Sequence, residues 1–352
     1  AAVSWTLSAV FTLLLTPLVC LLARPVLGWM QTPEDIFADA YAYLFVILLG
    51  TGATVFYNII SYMLRALGDS RTPLVFLVLS SLLNIGLDIL FIVPFHMGVA
   101  GAALATGLSQ CVGGGVPFVW FLSKRNKSAL RFTKTNFEIK PMIKACINGS
   151  SEMMSSISAS ITGVLYNMQL MKYAGEDGVA AYGVVMYAAF VFIGIFSGYS
   201  SGSSPIMGYH YGAANHKEMK NVLKKSLIIL SSSAVVLTAV AILLARPISS
   251  IFVGYDAALL DMTTRAFTIC AIPFLVMWFN MYASSFFTAL NDGAVSAAIS
   301  FMRSLILPVI CILVMPEIWH LDGVWYALAG SEILSAVVSV GFMLAKRKKY
   351  KY

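Results

Sequence analysis

Three acidic residues, Asp88, Glu152 and Glu332, lie inside long apolar stretches of the sequence. A charge within a membrane-spanning segment costs about 2.5–3.5 kcal/mol on insertion scales, so such residues mark functional sites by default. Asn84 lies one helical turn before Asp88, which places both side chains on one helix face. Their oxygens suit a hard cation such as Na⁺, and the same carboxylate could instead take up a proton. The alternative is a packing role, in which a neighbouring helix satisfies both polar groups.

The other two acids form a possible second acidic site. Glu152 ends the motif NGSSE (148–152) and could be an ion or substrate ligand, or could bond serine hydroxyls near a helix break. Glu332 corresponds in an internal repeat to Gln110, which favours a shared packing role over a functional one. Arg303 lies near the end of its span, so we expect its side chain to snorkel to the membrane surface.

Methionine and aromatic residues are abundant, with 17 Met, 22 Phe and 16 Tyr. Most of them are expected to face lipid or the protein core, but flexible methionine and aromatic surfaces also suit a cavity that accepts varied apolar ligands. Acids among aromatics would favour cationic amphiphiles. The candidate cavity-wall residues are Tyr57, Asn58, Tyr166, Asn167, Met168, Trp278, Phe279 and Asn280.

The composition requires that these residues be positioned by membrane helices. Of 352 residues, 59% are hydrophobic and 11% charged, with a mean hydropathy of +0.84. A soluble domain carries about 25% charged residues, and a disordered chain needs low hydrophobicity, so both classes are excluded. The sequence predicts an all-α polytopic membrane protein, because its continuous apolar runs do not alternate as barrel strands do. The ten predicted spans are 2–23, 38–64, 73–93, 99–122, 143–171, 178–207, 222–245, 262–289, 293–314 and 323–345.

The positive charges set the predicted orientation. The net charge is +7, and 19 of the 23 Lys and Arg residues fall on one side if successive spans alternate in direction. The positive-inside rule places that side, with the 123–142 linker and the 346–352 tail, on the cytoplasmic side of a cell membrane. Because topology accounts for the basic excess, a nucleic-acid partner is not expected.

No enzymatic or cofactor motif stands in the context it requires. HExxH and the phosphate-binding GxxxxGK[ST] do not occur, and the single GxSxG match, GYSSG (198–202), lies inside an apolar span rather than at a strand-to-helix turn. The five cysteines are scattered without metal-ligand or disulfide spacing, and the four histidines fall near loops in different parts of the chain. We therefore expect neither an enzyme nor a resident cofactor.

An internal repeat organises the chain. LLARP occurs at 21–25 and again at 243–247, an offset of 222, and residues 66–69 resemble 289–292 at an offset of 223. The same offset of 222 relates Asn58 to Asn280, Gly101 to Gly323, Ser109 to Ser331 and Lys124-Arg125 to Lys346-Arg347. An even number of spans per unit gives parallel repeats about an axis along the membrane normal.

The repeat predicts two helical bundles. We expect an N-lobe at 1–122, a cytoplasmic linker at 123–142, a C-lobe at 143–345 and a basic tail at 346–352. The first bundle has two fewer spans than the second, so we expect a native protein of twelve spans and no transport by this 352-residue form alone.

Several motifs, in this order and spacing, resemble the multidrug and toxic compound extrusion (MATE) family. They are LRALGDSRTP (64–73), LLNIGLDILFI (82–92), GVAGAALATGLSQ (98–110), NGSSE (148–152), GEDGVAA (175–181) and GYSSGSSPIMGYHYGA (198–213). The resemblance implies a V-shaped pair of six-helix lobes that export drugs in exchange for Na⁺ or H⁺. It also implies a cation site in the N-lobe at the positions of Asn84, Asp88 and Thr106, with Asp88 as the Na⁺ ligand. Another branch of the family carries two acids in the C-lobe, a Glu deep in the seventh span and an Asp in the tenth, and this sequence does not match that pattern.

The leading hypothesis is therefore a monomeric secondary antiporter in the lipid bilayer that exports small cationic or amphipathic compounds. The alternatives are a flippase for lipid-linked precursors with the same fold, and a non-transporting membrane scaffold or receptor. A flippase should need a cationic cavity for phosphates, whereas the acids here favour cations.

Overall fold

The computed structural model describes residues 2–29, 34–122 and 139–352, and within these ranges the chain is helical and contains no strand. The prediction of an all-α polytopic membrane protein is confirmed. In this part of the chain, ten α-helices and one π-helix follow in order. They are α1 (Ala2–Trp29), α2 (Glu34–Ala66), α3 (Arg71–Ile92), α4 (Gly98–Leu122), α5 (Ile139–Gly212), α6 (His216–Val253), α7 (Ala257–Ala271), α8 (Phe274–Ala289), α9 (Gly293–Phe301), the π-helix Met302–Ile306 and α10 (Leu307–Tyr350).

Two of these helices contain a break. In α5, Gly175 has φ 62° and ψ −149°, and in α10, His320 has φ 52° and ψ −128°, so neither residue is helical. Among the described residues, seven helices are long and apolar enough to cross a membrane, or eight if α7 and α8, which are bent by 47° at their junction, count as one interrupted span. If each side of the two breaks is taken as a separate span, this number becomes ten, at the places that hydropathy predicts.

The chain divides into two compact units, Ala1–Ile143 and Lys144–Tyr352. In the first unit, α4 packs against both α2 and α3. Small residues allow this close packing: a Cβ atom on Gly114 would lie 2.7 Å from the Ala53 carbonyl carbon, and the Ser80 hydroxyl donates to the Ser109 carbonyl oxygen at 2.7 Å. Residues 123–138 of the expected linker at 123–142 lie outside the described part of the chain.

The second unit has a large core of aromatic and aliphatic side chains. Its largest fully buried members include Tyr166, Phe196, Phe267, Phe286 and Trp325, from α5, α7, α8 and α10. Burial of this kind has to come from helix-to-helix packing, because lipid is as apolar as the side chains themselves.

The turns at the two copies of the repeated motif have the same backbone geometry. The amide of Asp69 donates to the Leu64 carbonyl oxygen, and that of Asp292 donates to the Phe287 carbonyl oxygen at the same 2.9 Å. The preceding residues, Gly68 and Asn291, both have positive φ, of 86° and 60°. Glycine and asparagine tolerate this conformation best, which explains the residue types at these positions.

Asp69 caps α3 and should stabilise it. Its carboxylate accepts the Thr72 hydroxyl at 2.6 Å and the Thr72 amide at 3.0 Å, and these bonds lower the pKa of Asp69 below its usual 3.8. A lowered pKa in the folded state stabilises the protein above the ordinary pKa and ceases to do so as the pH falls through the lowered value. Asp69→Ala should therefore cost about 1 kcal/mol of unfolding free energy at neutral pH, seen as a lower thermal midpoint in detergent.

Asp69→Asn is the matched control for this cap. Because asparagine also caps helices, its midpoint should lie close to that of the unaltered protein. The difference in midpoint between the unaltered protein and the Asp69→Ala variant should shrink below pH 3.8. A difference that stays constant with pH would contradict a role for the ionised carboxylate.

Candidate functional site

The residues of the predicted cation site lie at one level of the first unit. Asn84 and Asp88 are one turn apart on α3, both partly buried, and Thr106 is on the adjacent α4. The two helices are in contact on either side of this level. Ser80 bonds the Ser109 carbonyl oxygen, and a Cβ atom on Gly101 would lie 3.0 Å from the Phe91 Cβ atom. Since both helices rise equally per residue, Thr106 is level with the turn that carries Asn84 and Asp88.

The polar groups at this level are incompletely satisfied. The amide nitrogen of Asn84 is buried and has no hydrogen-bond partner among the described residues. Asp88 has no ion pair and no hydrogen-bond donor for its carboxylate within the same part of the chain. The Thr106 carbonyl oxygen already accepts the Ser109 hydroxyl at 2.9 Å. A carboxylate with no cation beside it, inside an apolar helix, can neutralise its charge by binding a proton or a metal ion.

The second unit contains a different arrangement around Glu332. The Arg303 guanidinium donates to both oxygens of Glu332, from Nε at 3.0 and 3.1 Å and from Nη2 at 2.8 Å. The amide of Asn280 donates to a Glu332 side-chain oxygen at 2.8 Å and to the Glu332 carbonyl oxygen at 3.0 Å. The Ser339 hydroxyl donates to the Asn280 side-chain oxygen at 2.9 Å, which fixes the direction of the amide. We call these four residues the C-unit cluster.

Three elements position the C-unit cluster. Asn280 is on α8 and fully buried, Glu332 and Ser339 are on α10, and Arg303 is in the π-helix. A π-helix adds a residue to a helical turn and redirects the side chains that it carries, often at functional sites. The expectation that Arg303 snorkels to the membrane surface is wrong, because its guanidinium is paired with Glu332 and its side chain is only 20% exposed.

The sequence singles out Glu332 and Asn280 separately and does not link them with Arg303. Arg303 precedes Glu332 by 29 residues and lies on a different span. No local spacing signals such a pair. The sequence signal that could have indicated the pair is that consecutive predicted spans contain one basic residue, Arg303, and one acidic residue, Glu332.

The cavity-wall candidates do not share one environment. Tyr166, Trp278 and Asn280 are buried within the second unit, where Tyr166 stacks on Tyr182 at 5.7 Å and the Trp278 indole donates to the Leu275 carbonyl oxygen. The remaining candidates differ in exposure: Tyr57 and Phe279 are partly buried, and Asn58, Asn167 and Met168 are exposed. Of this set, Asn280 is the residue that the structure joins to a predicted acid, Glu332.

Two further predictions concern metals and Glu152. Among the described residues, no three His, Cys, Asp or Glu side chains converge as a metal site would require. Glu152 belongs to α5, but its side chain lies outside the described part of the structure.

Comparison with known proteins links both units to one family. A family model described as MatE matches residues 1–90 and 153–313. "Multidrug export protein MepA" of Staphylococcus saprophyticus is 24% identical over 309 residues, which are 85% of this chain and 65% of MepA. "Probable multidrug resistance protein YpnP" of Bacillus subtilis is 44% identical over 101 residues, 29% of this chain and 22% of YpnP. The chain thus spans about two thirds of the length of its MepA relatives.

Solved structures show the same fold. One described as "Crystal structure of MATE in complex with MaL6" has a TM-score of 0.91, with 22% identity, and covers 99% of this chain and 80% of its own. Another, described as "Outward-facing conformation of a multidrug resistance MATE family transporter of the MOP superfamily", has a TM-score of 0.89, with 23% identity, and covers 99% of this chain and 78% of its own. At sequence identities of 22% and 23%, this similarity establishes the fold alone.

Proposed function

Because this chain belongs to the MatE family, we propose that the protein carrying it is a secondary antiporter that exports small cationic or amphipathic compounds. The relatives named as multidrug export proteins support this class of activity. The observation that carries the coupling step is the carboxylate of Asp88, which has no described partner and is partly buried on α3 at the level of Thr106.

In this proposal, Asp88 binds the coupling ion, either Na⁺ or H⁺. The Asn84 side-chain oxygen and the Thr106 hydroxyl supply neutral ligands for Na⁺, and Asp88 alone suffices for a proton. Ion binding neutralises the carboxylate and so favours one arrangement of the two units. Substrate binding favours the other, and alternation between them exchanges the ion for the exported compound.

The remaining attributes follow from the same proposal. The protein is a multi-pass membrane protein, with the C-terminal tail in the cytoplasm because of its basic residues 346–351. It acts as a monomer, without a resident cofactor and without enzymatic activity.

The proposal is tested in lipid vesicles that contain the protein expressed from its complete native coding sequence. A fluorescent organic cation should accumulate only when a Na⁺ or pH gradient is imposed, and the effective gradient identifies the coupling ion. Empty vesicles and vesicles with the gradient collapsed are the controls. Accumulation that ignores both gradients would exclude antiport.

A flippase for lipid-linked precursors is less well supported than an antiporter. Such a protein needs exposed positive charge to bind phosphates. In the described part of the spans, Arg303 is largely covered and its charge is compensated by Glu332. A membrane scaffold would leave the vesicle assay without any gradient-driven signal.

A further inference from the structure

The ion pair between Arg303 and Glu332 is placed where a membrane protein does not need one for stability. Their side chains are 20% and 12% exposed, so both charges have lost most of their water. A buried ion pair seldom stabilises a protein more than apolar side chains of similar size would. A charged pair that is retained inside spans is therefore a candidate for function.

The internal repeat has neutral residues at the corresponding positions of the first unit. At the offset of 222, Arg303 and Glu332 correspond to Ser81 and Gln110, while Asn280 corresponds to Asn58. The first unit thus carries the same three positions in neutral form. The second unit adds one positive and one negative charge together.

The surroundings of Glu332 are built to hold a carboxylate even without Arg303. Asn280 is fully buried and donates to Glu332 through its amide, and Ser339 holds that amide in place. Arg303 contributes the only cation that contacts the Glu332 carboxylate within the described residues. It reaches this position from the π-helix by a long, rotatable side chain, whereas Asn280 holds the carboxylate from a separate helix.

We propose that Glu332 is a binding site for the ammonium or guanidinium group of an exported compound, and that Arg303 is a tethered cation which occupies this site until the compound displaces it. The inference rests on the proposed export of cations and names the residue of the second unit that recognises them. Exchange of one cation for another keeps the Glu332 carboxylate compensated throughout, while the displaced Arg303 guanidinium keeps its positive charge and has to be taken up by water.

This arrangement predicts opposite effects for the two partners. Removal of the carboxylate in Glu332→Gln should weaken cation binding by at least about tenfold, because a charge-assisted contact is lost. Arg303→Lys keeps the charge but loses the two-point contact with the carboxylate, so Glu332 is free for a larger fraction of the time. Apparent affinity rises with that fraction, and we expect cation binding about three- to tenfold tighter. A purely structural pair would give weaker or unchanged binding in both variants.

The experiment is equilibrium binding of dansylcadaverine, a fluorescent primary ammonium compound, to the purified protein in detergent without any gradient. Glu317→Gln is the matched control, because Glu317 pairs with Lys172 between the two helices α10 and α5 but is exposed. This control should bind like the unaltered protein, and guanidinium chloride should compete with the dye. Thermal midpoints and gel-filtration profiles establish that each variant is folded.

The outcomes separate this site from the coupling site. Weaker binding in Glu332→Gln together with tighter binding in Arg303→Lys supports the exchange. Unchanged binding in Glu332→Gln overturns it, as does weaker or unchanged binding in Arg303→Lys with an unchanged thermal midpoint. If either variant fails to fold, lack of competition by guanidinium in the unaltered protein also overturns it. The assay uses no gradient, so failure at Asp88 leaves the result intact and the reverse also holds.

Discussion

Asp88→Asn is expected to reduce gradient-driven export to the level of empty vesicles while the protein stays folded. The substitution preserves the size of the side chain and removes its ability to ionise. A neutral amide cannot exchange a proton and offers Na⁺ no compensating charge, so ion binding no longer shifts the conformational equilibrium. Initial rates of cation accumulation under a Na⁺ or pH gradient give the measurement.

Asp261→Asn is the control for that substitution. Asp261 is an exposed partner of Arg246 on the surface of the second unit, so its neutralisation should leave export unchanged. Gel filtration and thermal midpoints should be similar for both variants, because Asp88 has no described partner to lose. Full export by Asp88→Asn would contradict the proposal that Asp88 binds the coupling ion.

Gly114→Ala is expected to destabilise the first unit strongly. An added Cβ atom would meet the backbone of Ala53 on α2, 2.7 Å from its carbonyl carbon, and backbone cannot move aside as a flexible side chain can. Helices α2 and α4 would have to separate, at a cost of about 1–3 kcal/mol. The measurement is the thermal midpoint in detergent, together with the yield of monodisperse protein.

Gly115→Ala provides a control at the neighbouring position. A Cβ atom there would have no neighbour within 4 Å, so it should leave stability unchanged or raise it slightly through higher helix propensity. Equal midpoints for the two variants would show that α2 and α4 are not packed as closely as the structure has them.

Hydropathy determined the elements because membrane insertion depends on local composition. Each apolar stretch in the sequence became a helix, and the breaks at Gly175 and His320 separate stretches that the sequence treats as distinct spans. The repeat was visible for a related reason. The turns at Asp69 and Asp292 depend on a positive-φ residue followed by a capping aspartate, and both are encoded within a few residues.

The candidate coupling site was partly accessible from sequence. One-turn spacing brings Asn84 and Asp88 to the same face of α3, and this follows from helix geometry alone. The height of Thr106 relative to Asn84 and Asp88 depends on how α3 and α4 pack. The family resemblance implies a shared site, and the described contacts between the two helices put Thr106 at the level of the other two residues.

The sequence by itself determined the class of protein, the spans, the repeat and the presence of three acids among them, because each depends on short-range patterns. Only the tertiary structure decided that Arg303 pairs with Glu332 rather than reaching the membrane surface, and that Asn280 lies against that pair. It also separated buried Tyr166 from exposed Met168 on one helix. The physical reason is that an almost uniformly apolar helix carries no strong signal of its rotation about its axis. The side of such a helix that faces its neighbours is determined by long-range packing and by the few polar groups that must find partners.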